Sequence, residues 1–266
     1  MLKDITIGQY FPGDSIVHRL DPRVKIIIIA LFIVSLFFVN TFLPYLFIVI
    51  FIGSVIKIAK LPFKFILKGL RPLVFIISIT FFINIFLTQG EVIFEMGPLN
   101  ITKQGLSQAT FMALRLIFLI TGTSLLTLTT SPISLTDGIE KLLMPFSKIG
   151  LPAHELAMMM TIALRFIPTL LEETDKIMKA QMARGADFES GNILRRAKNL
   201  VPLLVPLFIN SFRRADELAT AMEARCYRGG EGRTRLNELK LKSYDIYIFF
   251  ASLLFFAFIV STRYWS

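Results

Sequence analysis

The chain has 266 residues, of which 54% are hydrophobic and 18% charged, and its net charge is +10. The apolar residues are concentrated in segments such as 26–39, 46–56 and 73–87, a pattern typical of a polytopic membrane protein rather than of a soluble core. Lysine and arginine cluster in loops beside these segments, so the positive charge indicates cytoplasmic loops before it indicates nucleic-acid binding. The single cysteine excludes an intramolecular disulfide.

The N-terminal residues are polar and show no cleavable signal, so we expect the first membrane helix to remain in the mature chain. Asp21 is a predicted N-cap with Pro22 in the first turn of that helix, and we expect Lys25 to reach toward the lipid headgroups. His18 is expected to have a structural or interfacial role. Five spans are predicted, at about residues 24–39, 45–59, 73–88, 106–128 and 244–262.

Polar residues inside two of these spans have alternative interpretations. Asn84 is expected to pack against another helix. Arg115 is costly in a membrane, and it either contacts a partner or a substrate path, or it faces a neighbouring helix or the interface. Tyr264 and Trp265 are predicted interfacial aromatics at the end of the last span.

The loops alternate in charge along the chain. The basic, proline-broken stretch 57–71 predicts a cytoplasmic loop or short interfacial helix, whereas residues 89–103 carry two glutamates and fit an external loop with a hairpin near Met96. Five spans then place the N-terminus in the cytoplasm and the C-terminus outside.

The sequence therefore predicts an all-α polytopic membrane protein in three parts. Residues 1–133 form a membrane part with four spans, residues 134–242 form cytoplasmic or interfacial helices, and residues 243–266 form the last span. Within the middle part we expect a long helix from about 156 to 184, kinked at Pro168, and a second from about 195 to 227. Pro202 and Pro206 are expected to interrupt the first turns of the second helix.

The two long helices end in similar sequences, Ala183-Arg184-Gly185 and Ala224-Arg225-Cys226, which form a weak repeat with an offset of 41 residues. Gly185 is suited to a helix C-terminus, where it would leave Arg184 at the end of the helix. A guanidinium has five donors that bind carboxylates or carbonyls of a partner. The alternative is a cation that only stabilises the helix dipole, but the repetition favours two docking sites. The alanines of both ends also predict a close crossing of the two helices.

These residues resemble the transmembrane T component of energy-coupling factor (ECF) transporters, the EcfT/CbiQ-like proteins. The resemblance covers essentially the whole chain, and it rests on residues 18–25 (HRLDPRVK), on residues 164–168 (LRFIP) and above all on the two Ala-Arg helix ends. In that family the second helix end often has glycine at the position of Cys226. This chain therefore departs from the family pattern at the residue that closes the second helix.

The resemblance implies a non-catalytic coupling subunit of a vitamin or metal-ion importer. Its two helix ends, each a docking site, would bind two ATP-binding cassette (ABC) ATPases, and its membrane helices would hold a substrate-binding S component in the lipid bilayer. ATP and Mg²⁺ would be used by the ATPases, and cargo choice would lie in the S component.

The residues themselves indicate no enzyme. There is no Gly-rich phosphate loop followed by Lys-Ser/Thr and no metal-ligand spacing, so no cofactor or metal is predicted. Glu172, Glu173 and Asp175 are interpreted as solubilising residues and ion-pair partners. A stand-alone permease using Arg115 and Asn84 is the second hypothesis. The third is a membrane scaffold whose basic face binds nucleic acid or the ribosome, although no clear phosphate-binding cluster supports a nucleic-acid partner.

Overall fold

The structure is a computed structural model that describes residues 10–96, 99–188, 192–230 and 239–262. Ten α-helices and one β-hairpin are seen in these residues. In chain order they are α1 (Ile16–Arg19), α2 (Pro22–Phe38), α3 (Phe42–Ala59), α4 (Phe63–Leu70), α5 (Val74–Leu87), β1 (Val92–Met96), β2 (Leu99–Thr102), α6 (Lys103–Thr129), α7 (Pro132–Leu143), α8 (Ala153–Ala183), α9 (Ile193–Ala224) and α10 (Ser243–Ser261). The all-α fold class is confirmed. The predicted interfacial aromatics Tyr264 and Trp265 lie outside the described residues.

Five helical segments in the described residues are long and apolar enough to cross a membrane. They are α3, the continuous segment Phe63–Leu87, α6, α8 and α10. Four of the five coincide with predicted spans. Helix α2 was a predicted span, but it has 17 residues and is short for one. Helix α8 was not a predicted span, and its mean hydropathy of 1.2 is the lowest of the five.

The predicted external loop folds as a short antiparallel hairpin of β1 and β2, in which Met96 pairs with Leu99. The basic stretch after α3 forms the short helix α4, as predicted. Lys60 closes α3 in the left-handed conformation, and α4 is followed by a single 3₁₀ turn at Arg71–Leu73 that leads into α5. Prolines at positions 62 and 72 therefore mark the two ends of α4.

The described residues group into two compact units. One contains residues 10–138 and 239–262, and the other contains residues 139–188 and 192–230. The second unit consists of the end of α7, a 3₁₀ turn at Met144–Ile149, and the long helices α8 and α9.

The first unit is built around α2, which packs against α6 and α10. Phe32 and Leu36 of α2 are almost completely buried. The Phe32 ring fits because α6 has Gly122 at the contact, where a Cβ atom would lie 2.4 Å from the ring. One face of α2 packs against α6 and α10, whereas Val34, Phe37 and Phe38 on its second half are exposed. A helix that is apolar around its whole circumference suits contact with both protein and lipid.

A buried polar network joins the start of α2 to the start of α10. Asp21 is the N-cap of α2, as predicted, and its carboxylate accepts hydrogen bonds from the Arg23 backbone amide and guanidinium. Asp245 is 1% exposed and accepts hydrogen bonds from the backbone amides of Asp21 (3.2 Å) and Lys242 (2.7 Å). Arg23 also donates to the carbonyl of Leu239. Because the partners are more than 200 positions apart in the sequence, this network closes the unit.

Lys25 does not reach toward the headgroups, so that prediction is wrong. Its side chain is buried, and its ammonium group donates to the carbonyls of His18 (3.1 Å) and Thr129 (2.9 Å) and to the Thr130 hydroxyl (3.1 Å). Three oxygen acceptors match the three donors of an ammonium group, so the charge is stabilised inside the protein at the end of α6.

We expect Asp245→Asn to lower the thermal stability of the purified protein in detergent. The amide has one acceptor oxygen in place of two, so either the Asp21 or the Lys242 amide loses its partner, at a cost of about 1–3 kcal/mol. The midpoint of thermal unfolding measures this change. Glu217→Gln, the same chemical change at an exposed position of α9, is the control and should leave the midpoint unchanged.

Candidate functional site

The last turns of α8 and α9 have the same backbone structure. Arg184 and Arg225 are the C-caps, and both have φ −90° and ψ 9°. In each case the following residue has a positive φ, 86° for Gly185 and 56° for Cys226. The sequence repeat therefore corresponds to a structural repeat of the helix ends, which we name the first tip (Ala183, Arg184 and Gly185) and the second tip (Ala224, Arg225 and Cys226).

Matching hydrogen bonds close the two tips. The Gly185 amide donates to the Met182 carbonyl (2.9 Å), and the Ala186 amide donates to the Gln181 carbonyl (3.0 Å). At the second tip the amides of Cys226 and Tyr227 donate to the carbonyls of Glu223 (2.9 Å) and Met222 (3.0 Å). Both are Schellman motifs, so cysteine in place of glycine does not change the cap geometry. The side chain of Cys226 does incur the strain of a left-handed conformation.

All six tip residues are exposed. No ion pair or side-chain hydrogen bond joins the Arg184 or Arg225 guanidinium to another of the described residues. Each tip thus presents an unoccupied planar donor group beside a small alanine, which lets another backbone approach closely.

Helices α8 and α9 are antiparallel. Gln181 near the end of α8 contacts Pro202 near the start of α9, Glu173 contacts Asn210, and His154 at the start of α8 contacts Tyr227 after the end of α9. The two tips consequently lie at opposite ends of the pair. At 1.5 Å per residue, the length of α8 separates them by about 45 Å.

The contact between the helices is polar and is centred on Glu173. Its carboxylate accepts a hydrogen bond from the Asn210 side chain and forms an ion pair with Arg214 (3.1 Å). The expected ion-pair roles of Glu173 and Asp175, which pairs with Lys179, are therefore confirmed.

The predicted alanine-to-alanine crossing is wrong, because the six alanines concerned are exposed. They are Ala180, Ala183, Ala215, Ala219, Ala221 and Ala224. For Ala215 and Ala219 the physical reason is the position of Asn210 and Arg214, which turns the other face of α9 toward α8.

Helix α9 runs without a break past Pro202 and Pro206, contrary to the prediction. Pro206 has no amide hydrogen, so the carbonyl four residues earlier, that of Pro202, lacks its helical partner. The Gln181 side chain of α8 donates to this carbonyl at 3.4 Å. The neighbouring helix thus supplies a hydrogen bond that α9 cannot make itself.

The face of α9 opposite Asn210 and Arg214 is apolar and exposed. We name it the apolar strip, and it consists of Leu200, Val201, Leu204, Val205, Phe208, Ile209 and Phe212. Phe208 and Phe212 are 60% and 69% exposed. The polar face of this helix is packed and its apolar face is not, which is the pattern of a surface that contacts lipid or another apolar partner. The spacing of four residues was visible in the sequence, but only the structure distinguishes this strip from a buried face.

The polar residues predicted inside the spans have structural partners within the chain. Arg115 donates to the carbonyl of Val39 at the C-terminal end of α2 (3.1 Å) and lies over the Phe37 ring. Of the two interpretations, the geometry favours an arginine that faces a neighbouring helix. Asn84 donates to the Thr80 carbonyl of its own helix (2.7 Å). Its backbone oxygen would lie 3.1 Å from a Cβ atom at Gly105 of α6, so the residue packs against another helix, as predicted.

His18 is held by the Ser15 hydroxyl (2.7 Å) and the Phe11 carbonyl (3.0 Å), in agreement with a structural role. Burial lowers the pKa of His18, and the hydrogen bond to the Phe11 carbonyl opposes the shift. In the part of the chain that the structure describes, no group of three His, Cys, Asp or Glu side chains is arranged to hold a metal ion.

The two caps predict opposite effects of matched substitutions. Gly185→Ala introduces a Cβ with open space around it but with a positive φ, so it should destabilise the first tip by about 1–2 kcal/mol. Cys226→Gly removes the same strain at the second tip. Hydrogen–deuterium exchange should therefore be faster for the amides of residues 185 and 186 in the first variant, and slower for those of 226 and 227 in the second. Wild-type exchange in both variants would contradict this account, and Arg184→Ala is the control.

The chain is similar to known proteins over its full length. The CbiQ family model, described as cobalt transport protein, matches residues 13–236. An energy-coupling factor transporter transmembrane protein EcfT from Thermosediminibacter oceani is 64% identical over 251 residues, which cover 94% of this chain and 95% of the relative. The EcfT proteins of Clostridium kluyveri (63% over 267 residues, 100% and 99% covered) and Bacillus subtilis (52% over 262 residues, 96% and 99% covered) are similar throughout. Together with the helical membrane fold, these similarities show that the chain belongs to the CbiQ family as a transmembrane T component of ECF transporters.

Proposed function

We propose that this T component docks two ABC-type ATPases through its two tips and couples their movement to a substrate-binding S component. The observation that carries the proposal is the repetition of one exposed structure, an arginine C-cap on a Schellman motif, at both ends of the α8–α9 pair. Two sites of the same structure at opposite ends of the helix pair are suited to binding two partners of the same kind. The ATPases bind ATP and Mg²⁺, and this chain takes no part in hydrolysis.

The chemistry of docking follows from the guanidinium. Five fixed donors on Arg184 and on Arg225 bind carboxylates or backbone carbonyls of a groove on each ATPase. The exposed Ala183 and Ala224 leave room for the wall of the groove to approach the helix. Gly185 and Cys226 turn the chain away immediately after the arginine, so the tip enters the groove end-on.

The apolar strip on α9 is proposed to contact the S component. Seven exposed apolar side chains along one helix face are stable only against lipid or an apolar protein surface. The same helix ends in the second tip, so a movement of Arg225 by an ATPase is carried along α9 to the strip. The S component then reorients and releases a micronutrient, a vitamin or a metal ion, in the cytoplasm.

The proposed orientation places the N-terminus and both tips in the cytoplasm and the C-terminus outside. Its support is the distribution of charge, because the cations lie in the N-terminal segment, in residues 57–71 and in residues 134–242, whereas the loop at Glu91 is acidic. The second half of α8, with Glu172, Glu173 and Asp175, is too charged for the hydrocarbon and fits the cytoplasmic interface.

Charge reversal tests the docking role. Arg184→Glu and Arg225→Glu should each weaken co-purification of the ATPases about tenfold or more, because a charge-assisted hydrogen bond contributes about 1.5–3 kcal/mol. The double variant should abolish uptake while it still inserts into the membrane. Lys176→Glu on α8 and Arg213→Glu on α9 reverse exposed charges away from the tips and are the controls. Normal uptake by the double variant would refute the proposal.

A second substitution tests the apolar strip independently of the tips. Phe208→Glu should reduce co-purification of the S component, because it places a charge in an apolar contact, but it should leave the ATPases bound. Arg213→Glu introduces the same side chain on a different face of α9 and should retain both partners. Loss of the ATPases together with the S component in Phe208→Glu would show instead that the helix pair itself is disrupted.

A further inference from the structure

The chain folds back on the start of α8 directly after the second tip. The Tyr227 hydroxyl lies 3.4 Å from Nε2 of His154, and Nδ1 of His154 lies 3.1 Å from Oε1 of Glu140. These three side chains come from three places, the turn after α9, the first turn of α8 and the end of α7. They form a continuous polar chain that is only partly accessible to solvent.

The carboxylate determines the tautomer of the imidazole. An ionised carboxylate only accepts, so Nδ1 carries a hydrogen and donates it to Glu140. Nε2 is then the ring nitrogen that accepts from the Tyr227 hydroxyl. The imidazole thus connects the two side chains.

Gly230 makes a second, independent contact between the same segments. A Cβ atom at this position would lie 2.6 Å from the His154 ring, so the backbone of Gly230 packs directly on the imidazole. His154 is therefore held by residues 227 and 230 on one side and by Glu140 on the other. The first tip has a different arrangement, in which the Asn199 side chain donates to the Asp187 carbonyl (2.6 Å).

We infer that His154 is a positioning residue that ties the second tip to the start of α8 and, through Glu140, to α7. The inference rests on the proposed docking function and adds a difference between the two tips. Arg225 moves together with the first turn of α8, whereas Arg184 lacks this link. A displacement of the second tip by its ATPase is thereby passed directly to α7, the helix in which the chain passes from one compact unit to the other.

The only cysteine of the chain, Cys226, lies exposed at the second tip and provides the probe for a direct test. A nitroxide attached to Cys226 of the purified full-length protein reports the mobility of the tip by electron paramagnetic resonance. Tyr227→Phe removes one hydrogen bond, and His154→Asn keeps a donor for Glu140 but loses the atom that contacts Tyr227. Each should increase the ratio of mobile to immobile probe about fivefold. This is the effect of losing a hydrogen bond that contributes about 1 kcal/mol.

The matched control is the first tip. In a Cys226→Ser, Gly185→Cys background, the same nitroxide occupies the corresponding position, and His154→Asn should leave its spectrum unchanged. His154→Gln retains an amide near the position of Nε2 and should partly restore the immobility of the Cys226 probe. Unchanged mobility at Cys226 in both Tyr227→Phe and His154→Asn would overturn the inference, as would an equal increase at both tips.

The outcome can be separated from a failure of the proposed docking. The mobility measurements use the T component alone and require no ATPase. Normal ATPase co-purification by Arg225→Glu would refute docking at this tip, whatever the spectra show. Unchanged spectra, in contrast, would refute only the positioning role of His154. If both proposals hold, His154→Asn should also lower uptake without the complete loss expected of the double arginine variant.

Discussion

The carboxylate of Glu173 makes the contact on which the arrangement of α8 and α9 depends. Its side chain is 17% exposed, and both of its partners, Asn210 and Arg214, lie on the opposite helix. A shift of α9 by one helical turn, about 5.4 Å, would separate the carboxylate from both. An apolar contact could adjust to such a shift, but a partly buried charge that loses its partners is strongly destabilising. The polar contact thus fixes the register of the antiparallel pair, and the register fixes the positions of the tips.

The exposed surface of the pair follows from the same contact. Because α9 directs Asn210 and Arg214 toward α8, its apolar strip faces away from α8 and is exposed. The caps then turn each arginine outward at the end of a rigid helix. The pair therefore presents two equivalent exposed arginine ends and one exposed apolar face. The hydrogen bond from Gln181 to Pro202 shows that even the proline-containing start of α9 is completed by its partner helix.

A separate polar network determines the membrane unit. The residues at positions 18–25, on which part of the family resemblance rests, are those that hold α2, the end of α6 and the start of α10 together. Asp21 caps α2 and pairs with Arg23, and Lys25 donates to the Thr129 carbonyl, one of those that the end of α6 leaves without a helical partner. The charged residues of this motif therefore do not face the lipid headgroups but connect three helices of the unit. The same holds for Arg115, for which a transport path was one of two interpretations and which donates to the Val39 carbonyl at the end of α2.

Features that depend on local chemistry could be predicted from the sequence. The apolar segments predicted four of the five segments that are long and apolar enough to cross a membrane, Asp21 and Pro22 predicted the start of α2, and the Ala-Arg repeat predicted two similar helix ends. Spans, caps and turns are set by neighbouring residues. Which residues meet across the chain became clear from the packed structure alone. The alanines of α8 and α9 were expected at the crossing, and Lys25 was expected in the headgroups. Neither expectation could anticipate the contacts of Glu173 or of the Thr129 carbonyl, because hydrogen-bond partners so far apart in sequence are selected by tertiary packing and not by the local pattern.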